Sequence, residues 1–410
     1  MLDPRRIMQR CAELARHSEQ AGGLTRVYLS REQAAANELV FGWMREAGMS
    51  ARLDAAGNCI GRYEGDRPGL PALVLGSHLD TVRDAGKYDG MLGVVAAIEC
   101  VRALNAAGRR QGFAIETIGF ADEEGVRFNA TLLGSRAMAG TFKSEVLDSV
   151  DANGLSMREA MRSFGLDPAR LGAAARRRED VLAYAELHIE QGPVLEAEGL
   201  AVGVVTAING ATRLAVEIDG AAGHAGTVPM RLRQDALAAA AECALAIERR
   251  CAGVPDLVGT VGKLEALPGA VNVIPGKASF SVDVRAPADA TRIAAIEQLL
   301  AEMNTICARR KVGIRVRKTH EGGVAACAPW LMEQLGAAIA AEGIAVRALP
   351  SGAGHDGMAL VGLCDIGMLF VRCEKGISHN PAEAISAADA ETGARVFLRF
   401  IENFQPQARA

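Results

Sequence analysis

The sequence predicts an α/β protein with a second, α+β domain inserted in it. Three observations carry that expectation. The 410 residues exceed what one hydrophobic core usually serves. Extended and helical patterns alternate from the N-terminus to Phe120, as in a sheet with helices on its faces. Near Thr212 the pattern changes to β-α-β-β-α-β, and the first pattern resumes only after about Glu321.

Taken in order, Arg31 to Ala47 reads as an amphipathic helix stopped by Gly48, and LVLG (73–76) as a short buried strand. Gly93 to Leu104 follows as a helix and IETIGF (115–120) as a strand. In the insertion, TRLAVEIDG (212–220) is a strand and Gln234 to Arg249 an Ala-rich helix. Extended segments then pass through Val261 and from Phe280 to Val284, before a helix from about Arg292 to Ala308 and the strand VGIRVRKT (312–319). Beyond it, SGAGHDGMAL (351–360) and IGMLFV (366–371) return apolar strands to the first core. The expected limits are 1–209 and 322–410 for one discontinuous domain and 210–321 for the insertion, with no repeat and no low-complexity linker.

Half the residues are apolar and 23% are charged, an ordinary balance for a chain with a filled interior. A formal net charge of −4, with both signs interspersed, leaves no basic face for phosphate backbones, so no nucleic acid partner is expected. The N-terminal MLDPRRIMQRCAELARHSEQ is charged throughout and lacks the apolar run of a signal peptide. No segment reaches about 18 uncharged apolar residues, so no membrane span is expected and the location expected is cytoplasmic. The nine cysteines stand singly and without a C-x-x-C pair, as small buried hydrophobes of a reducing compartment.

The seven histidines fall mostly in Gly- or acid-rich segments rather than on helix faces. His78 and Asp80 form an H-x-D pair at a strand end, where alternation points both side chains the same way if the strand continues. That suits an imidazole ligand oriented by a carboxylate; alone, the pair reads as readily as a surface histidine beside an aspartate. Asp89 precedes Gly90 and the apolar MLGVVAAI, where it could simply cap a helix. ADEEGVRF groups Asp122, Glu123 and Glu124, a crowding of like charge that calls for cations or solvating water. AYAELHIEQGPVLE runs a strand into His188, Glu190 and Gln191, and LFVRCEKGISHNPAE puts His379 just past another. Open α/β sheets bind ligands beside such strand ends. Imidazole and carboxylate without cysteine suit zinc, manganese, cobalt or nickel in an open site rather than a closed structural zinc.

Eight segments in order, GSHLDTV (76–82), YDGMLGV (88–94), FADEEGVRF (120–128), LHIEQGPVLE (187–196), GHAGTVPM (223–230), GAVNVIPG (269–276), SGAGHDGM (351–358) and SHNPAE (378–383), resemble the M20 family of metallopeptidases. Within it they resemble the amidase branch of allantoate amidohydrolases, N-carbamoyl-L-amino acid hydrolases and β-ureidopropionases. The resemblance covers nearly the whole chain. It implies a mixed-sheet catalytic domain of the zinc-exopeptidase type with an inserted ferredoxin-like α+β domain for lid and dimerisation. It also implies two divalent metal ions, zinc or manganese with cobalt or nickel as alternatives. His78, Asp89 and His188 would hold one, and Asp89, Glu124 and His379 the other. Glu123 becomes the general base and Asp80 the partner of His78. Gln191, His224, Asn272, Arg285 and Gly354 match substrate contacts, with Arg285 as a carboxylate clamp and His224 open to serving its own or a second subunit's site.

The function this implies is hydrolysis of a small ureido compound bearing a carboxylate, with release of ammonia and carbon dioxide. Allantoate comes first, and N-carbamoyl-L-amino acids or β-ureidopropionate second. A dipeptidase or deacylase is the more distant reading, because the peptidases of the family commonly have a carboxylate where this chain has His188. A non-catalytic relative would have lost Glu123, Asp89 or a ligand histidine, and all are present. Ala222-Gly223 before His224 and Val228 depart from the Ala-Asn and Thr frequent in the amidases, and touch the lid segment rather than the ligands.

Overall fold

The computed structural model describes residues 2–407. They form two compact units, one taking the chain up to Thr206, Ala326–Leu349 and everything from Ala353 onward, the other Ala207–Ala325 and Pro350–Gly352.

In the first unit a mixed sheet runs in the order Ser50–Leu53, Cys59–Tyr63, Ala114–Phe120, Ala72–His78, Val181–Ile189, Ile366–Val371, Val202–Ile208. The pairings among Ala114–Phe120, Ala72–His78, Val181–Ile189 and Ile366–Val371 are parallel, and those outside them antiparallel. Their buried, near-continuous apolar character is what a sheet covered on both faces demands. The consequence for function is geometric. The ends at His78, Phe120, Ile189 and Val371 all open on one edge of the sheet.

The helix Arg31–Glu46 starts where Ser30 accepts the Gln33 N–H, and Gly48 at φ +84 follows its end. Met91–Ala106 is apolar all round and buried along almost its whole length. It lies so close to the sheet that a Cβ on Gly93 would stand 2.2 Å from the carbonyl oxygen of Leu187. Pro4–Leu14 and Ala387–Asn403, which the sequence reading left unassigned, pack with it, and buried Arg10 is paired to buried Glu99 at 2.5 Å. Val94, Val95, Ile98 and Val101 share one core with Phe397 and Phe400. Each such side chain contributes about 1.5–3 kcal/mol by leaving water.

The second unit has an antiparallel sheet ordered Leu264–Leu267, Lys277–Ala286, Gly210–Asp219, Gly313–Gly322, with Val258–Thr260 also pairing the second of these strands. Leu214, Val216, Ile218, Phe280, Val282 and Val284 alternate onto the face covered by helices Ala236–Ala252 and Asp289–Arg310. Arg213, Glu217, Asp283 and Arg285 alternate onto the other face.

One expected strand is absent. Of SGAGHDGMAL, only Ser351 belongs to a strand, Ala348–Ser351; a loop follows, then a single helical turn at Gly357–Leu360. Glycines at 352, 354 and 357 take away the side chains a strand would pack there. The cysteines are buried and free, and no described helix is long and apolar enough to cross a membrane.

Candidate metal centre

The sheet register sets the site. Leu75 pairs with Ala185, which projects His78 beside His188, and the two rings lie 5.9 Å apart. His78 ends its strand, and its Nδ1 is 2.9 Å from the backbone carbonyl of Asp80. His188 turns Nδ1 to the carbonyl of Ile189 at 2.9 Å, and its Nε2 accepts the Gly90 N–H at 3.2 Å. Each Nδ1 therefore carries the proton, and each Nε2 presents a lone pair.

Both lone pairs face Asp89. Its Oδ1 is 3.4 Å from His78 Nε2 and 3.2 Å from His188 Nε2, while Oδ2 is 3.3 Å from His379 Nε2. Glu124 Oε1 stands 3.5 Å from the same His379 nitrogen. Asp89 does not cap the helix after it, because the cap position is Gly90 at φ +71. A Cβ on Gly90 would lie 2.5 Å from the His78 ring. Gly90 thus lets the carboxylate and the imidazole meet.

Acceptors facing acceptors across such gaps need a proton or a cation between them. Two ligands of one tetrahedral ion, each at about 2.0–2.2 Å, stand about 3.3–3.6 Å apart. The donor set fits divalent ions on that ground. The groups His78–Asp89–His188 and Asp89–Glu124–His379 each gather their ligand atoms within 4.8 Å and share only Asp89.

The strand stops at His78, and the Asp80 backbone carbonyl meets its Nδ1 while the Asp80 side chain stands beside the ring, with Oδ1 3.8 Å from the same nitrogen. The Asp80 carboxylate also accepts the backbone N–H of Glu123 at 3.0 Å and of Glu124 at 3.1 Å. It thereby shapes the turn that begins at Asp122, whose φ is +57. That turn is no solvated loop, since Asp122 and Glu123 are both buried.

Protonation follows from burial and neighbours. Burial pushes Glu123 well above the usual carboxylate range, with His78 opposing and Glu124 and Asp356 adding to the rise. Burial likewise lifts Glu124 to about 7. For Asp89 burial works in the same direction but loses to hydrogen bonds with His188, His379 and His78, which hold its carboxyl well below the usual range. His78 and His188 are raised because Asp89 outweighs burial, and His379 is raised chiefly by its bond to Asp89.

Two expected substrate contacts join this cluster. Gln191 Nε2 donates to Asp89 Oδ2 at 2.8 Å and to Ser378 Oγ at 3.2 Å, while its Oε1 is buried without a partner. At Gly354 a Cβ would come within 3.7 Å of Glu123 Oε1. The remaining three lie on the second unit. His224 is exposed and accepts the Gly226 N–H on Nδ1 at 3.1 Å, leaving Nε2 as a donor. Asn272 is exposed beside it, its carbonyl accepting the Ala225 N–H at 2.9 Å.

Arg285 is apart from both. It is partly exposed, and its Nε and Nη2 bond both oxygens of Asp283 at 2.9 and 3.0 Å. Arg213 shares Asp283 at 2.9 Å, so the trio keeps one positive charge. Within this unit Arg285 pairs with Ala211 at one end of the sheet, and His224 lies just beyond the Asp219–Lys277 pair at the other. The eight steps along the strand from Lys277 to Arg285 span about 26 Å.

Sequence reasoning missed Ser378 and Glu383 and gave His355, as a site-wall or structural histidine, no role. Ser378 and Glu383 stand in the SHNPAE segment and contact Asp89. His355 packs edge-on against His188 at 4.5 Å, where burial first and His188 second keep it neutral.

The comparisons with known proteins now bear on this geometry. Residues 74–403 match the model of peptidase family M20/M25/M40. The chain belongs to that family. The M20 proteins are metal-dependent hydrolases of carbon–nitrogen bonds, and so is this one. Among M20-type relatives, an N-carbamoyl-L-amino acid amidohydrolase of Geobacillus stearothermophilus is 43% identical over 402 residues, covering 98% of each chain. Allantoate deiminase 1 of Glycine max is 40% identical over 425 residues, covering 96% of this chain and 88% of that one. A solved amidase of the hydantoinase/carbamoylase family from Burkholderia multivorans superposes with a TM-score of 0.92 at 32% identity, covering 98% of this chain and 97% of that one.

Proposed function

We propose that this M20 protein hydrolyses the ureido carbon–nitrogen bond of a small carboxylate-bearing compound. Allantoate is the first substrate and N-carbamoyl-L-amino acids are the second, the latter favoured by the 43% identical Geobacillus relative. The observation that carries the reading is Asp89, whose Oδ1 faces His78 and His188 while Oδ2 faces His379. One carboxylate serves two ligand groups.

His78, Asp89 and His188 would hold one divalent ion and Asp89, Glu124 and His379 another, from among zinc, manganese, cobalt and nickel. Bound there, such ions polarise a carbonyl and bring the pKa of a water toward neutrality. Glu123 takes the water proton on its carboxylate and hands it to the departing nitrogen. The water oxygen bonds to the ureido carbon as its C–N bond breaks, ammonia leaves with the returned proton, and the remaining carbamate loses carbon dioxide. The unpartnered Gln191 Oε1 accepts an N–H of the ureido group, and the backbone at Gly354 leaves room beside Glu123.

Arg285 clamps the substrate carboxylate with charge that Asp283 does not neutralise, while His224 Nε2 and Asn272 offer donors to the ureido oxygen. Arg285 and His224 of one copy stand too far apart for one small molecule. That separation supports a homodimer in which a second copy supplies His224. Exposed Met230, Leu232, Leu245, Leu267 and Val271 on the same unit favour association through it.

The test is ammonia release by metal-depleted protein resupplied with manganese or zinc, across allantoate, several N-carbamoyl-L-amino acids, β-ureidopropionate and a dipeptide. Metal-dependent ammonia from one ureido compound is the expected result. Dipeptide cleavage with no ammonia from any of them would overturn the proposal.

A further inference from the structure

Glu383 is buried at 3% exposure and touches none of the substrate-facing groups. Its Oε1 accepts the backbone N–H of Tyr88 at 2.9 Å and of Asp89 at 3.1 Å. Its Oε2 lies 3.0 Å from Ser378 Oγ, which is also 3.1 Å from Asp89 Oδ2. The space for it is reserved: a Cβ on Gly86 would fall 2.3 Å from its Cβ, Cδ and Oε1. Two loops that carry ligand residues, 86–90 and 378–383, are therefore tied through one carboxylate.

Ser378 has one proton and two carboxylate oxygens in reach, and its own lone pair receives Gln191 Nε2. If that proton went to Asp89 Oδ2 it would occupy the oxygen that faces His379. Both Glu383 oxygens stand where they accept, Oε1 from two backbone N–H groups and Oε2 from the Ser378 hydroxyl, so Oε2 competes with Asp89 Oδ2 for the Ser378 proton.

We propose that Glu383 is a positioning residue for Asp89: it anchors the Tyr88–Asp89 backbone and draws the Ser378 proton to itself, which leaves Asp89 Oδ2 open to a cation. The inference rests on the reading of Asp89 and His379 as metal ligands. Glutamine at 383 can still accept both backbone N–H groups, but its amide N–H₂ faces Ser378 and turns the hydroxyl proton toward Asp89. Alanine at 378 then removes the competing proton altogether.

The experiment is manganese binding by titration calorimetry, with bound metal counted after dialysis, on the full chain and on E383Q, S378A and E383Q/S378A. Expected is an E383Q protein whose metal-free thermal unfolding matches the parent but whose affinity at one manganese site falls about ten- to hundredfold. In the double variant part of that affinity returns. E383Q binding both ions like the parent, or losses that simply add in the double variant, would overturn the role of Glu383 while leaving the metal reading standing. No manganese, zinc or cobalt bound by the parent chain would sink both.

Discussion

The carboxylate of Asp80 accepts the backbone N–H of Glu123 at 3.0 Å, so the residue two places after His78 reaches across to hold the 122–124 turn. Asp80→Ala should free the 122–124 turn and cut turnover about ten- to hundredfold, with His78 still held by the backbone of residue 80. Steady-state rates alongside metal content check this; loss of both ions with the rate would place Asp80 with the ligands instead.

Glu123→Gln keeps the shape of the turn and removes the proton acceptor. Turnover should fall about 10² to 10⁴-fold with metal content unchanged. A rate within about threefold of the parent would assign the proton to another group.

Metal-free protein should lose stability as pH rises between about pH 5 and 8. His78, His188 and His379 are raised above 6.5, and Glu124 is raised from 4.5 to about 7, so the folded state holds more protons than the unfolded chain. Stability from each raised group is complete below its unfolded value and disappears as pH passes its folded one. Asp89, being depressed, acts only below 3.8 and outside this window. Manganese needs the deprotonated ligands, so the stabilisation it adds should grow with pH. Thermal unfolding with and without manganese across the range tests both signs, and parallel curves would contradict them.

Gly90→Ala should both destabilise the fold and weaken metal binding. Its φ of +71 strains any side chain, at about 1–3 kcal/mol, and the added Cβ would stand 2.5 Å from the His78 ring. Chemical denaturation and a manganese titration read the two effects separately.

Arg285→Ala should raise KM for a ureido carboxylate about ten- to hundredfold, the range of a charged hydrogen bond, with kcat changed far less. Arg285→Lys should recover little, because an ammonium lacks the planar fork. Equal loss for a substrate analogue without the carboxylate would dissociate Arg285 from that group.

Much of this was legible from local pattern. The runs IETIGF and IGMLFV lie in strands, and the helix expected from Arg31 to Ala47 spans Arg31–Glu46. His78, Glu124, His188 and His379 could be picked out because each sits at or past the end of an apolar segment, and Asp89 because it precedes one, with the resemblance joining them into one set. The reach of Asp80 to the backbone of residues 123 and 124 was not legible, because it depends on how two strand ends lie side by side. Glu383 carried no local signal: its partners Tyr88 and Asp89 are 295 and 294 residues away, and only the folded sheet brings them together. The loop at 352–357 misled because apolar residues around glycines look like a strand until the missing side chains are counted.

The strand bearing His188 pairs with Ile366–Val371, which in turn pairs with Val202–Ile208. The chain leaves for its insertion from Val202–Ile208 and comes back at Ala325–Ala326, the neighbouring strand of the same sheet. An excursion that opens and closes at the same place can lengthen, shorten or change its surface without shifting the register that sets His188 beside His78. The sheet that gathers the candidate ligands and the surface of the insertion are thus written on separable stretches of sequence, and a lineage can retune the second while inheriting the first intact.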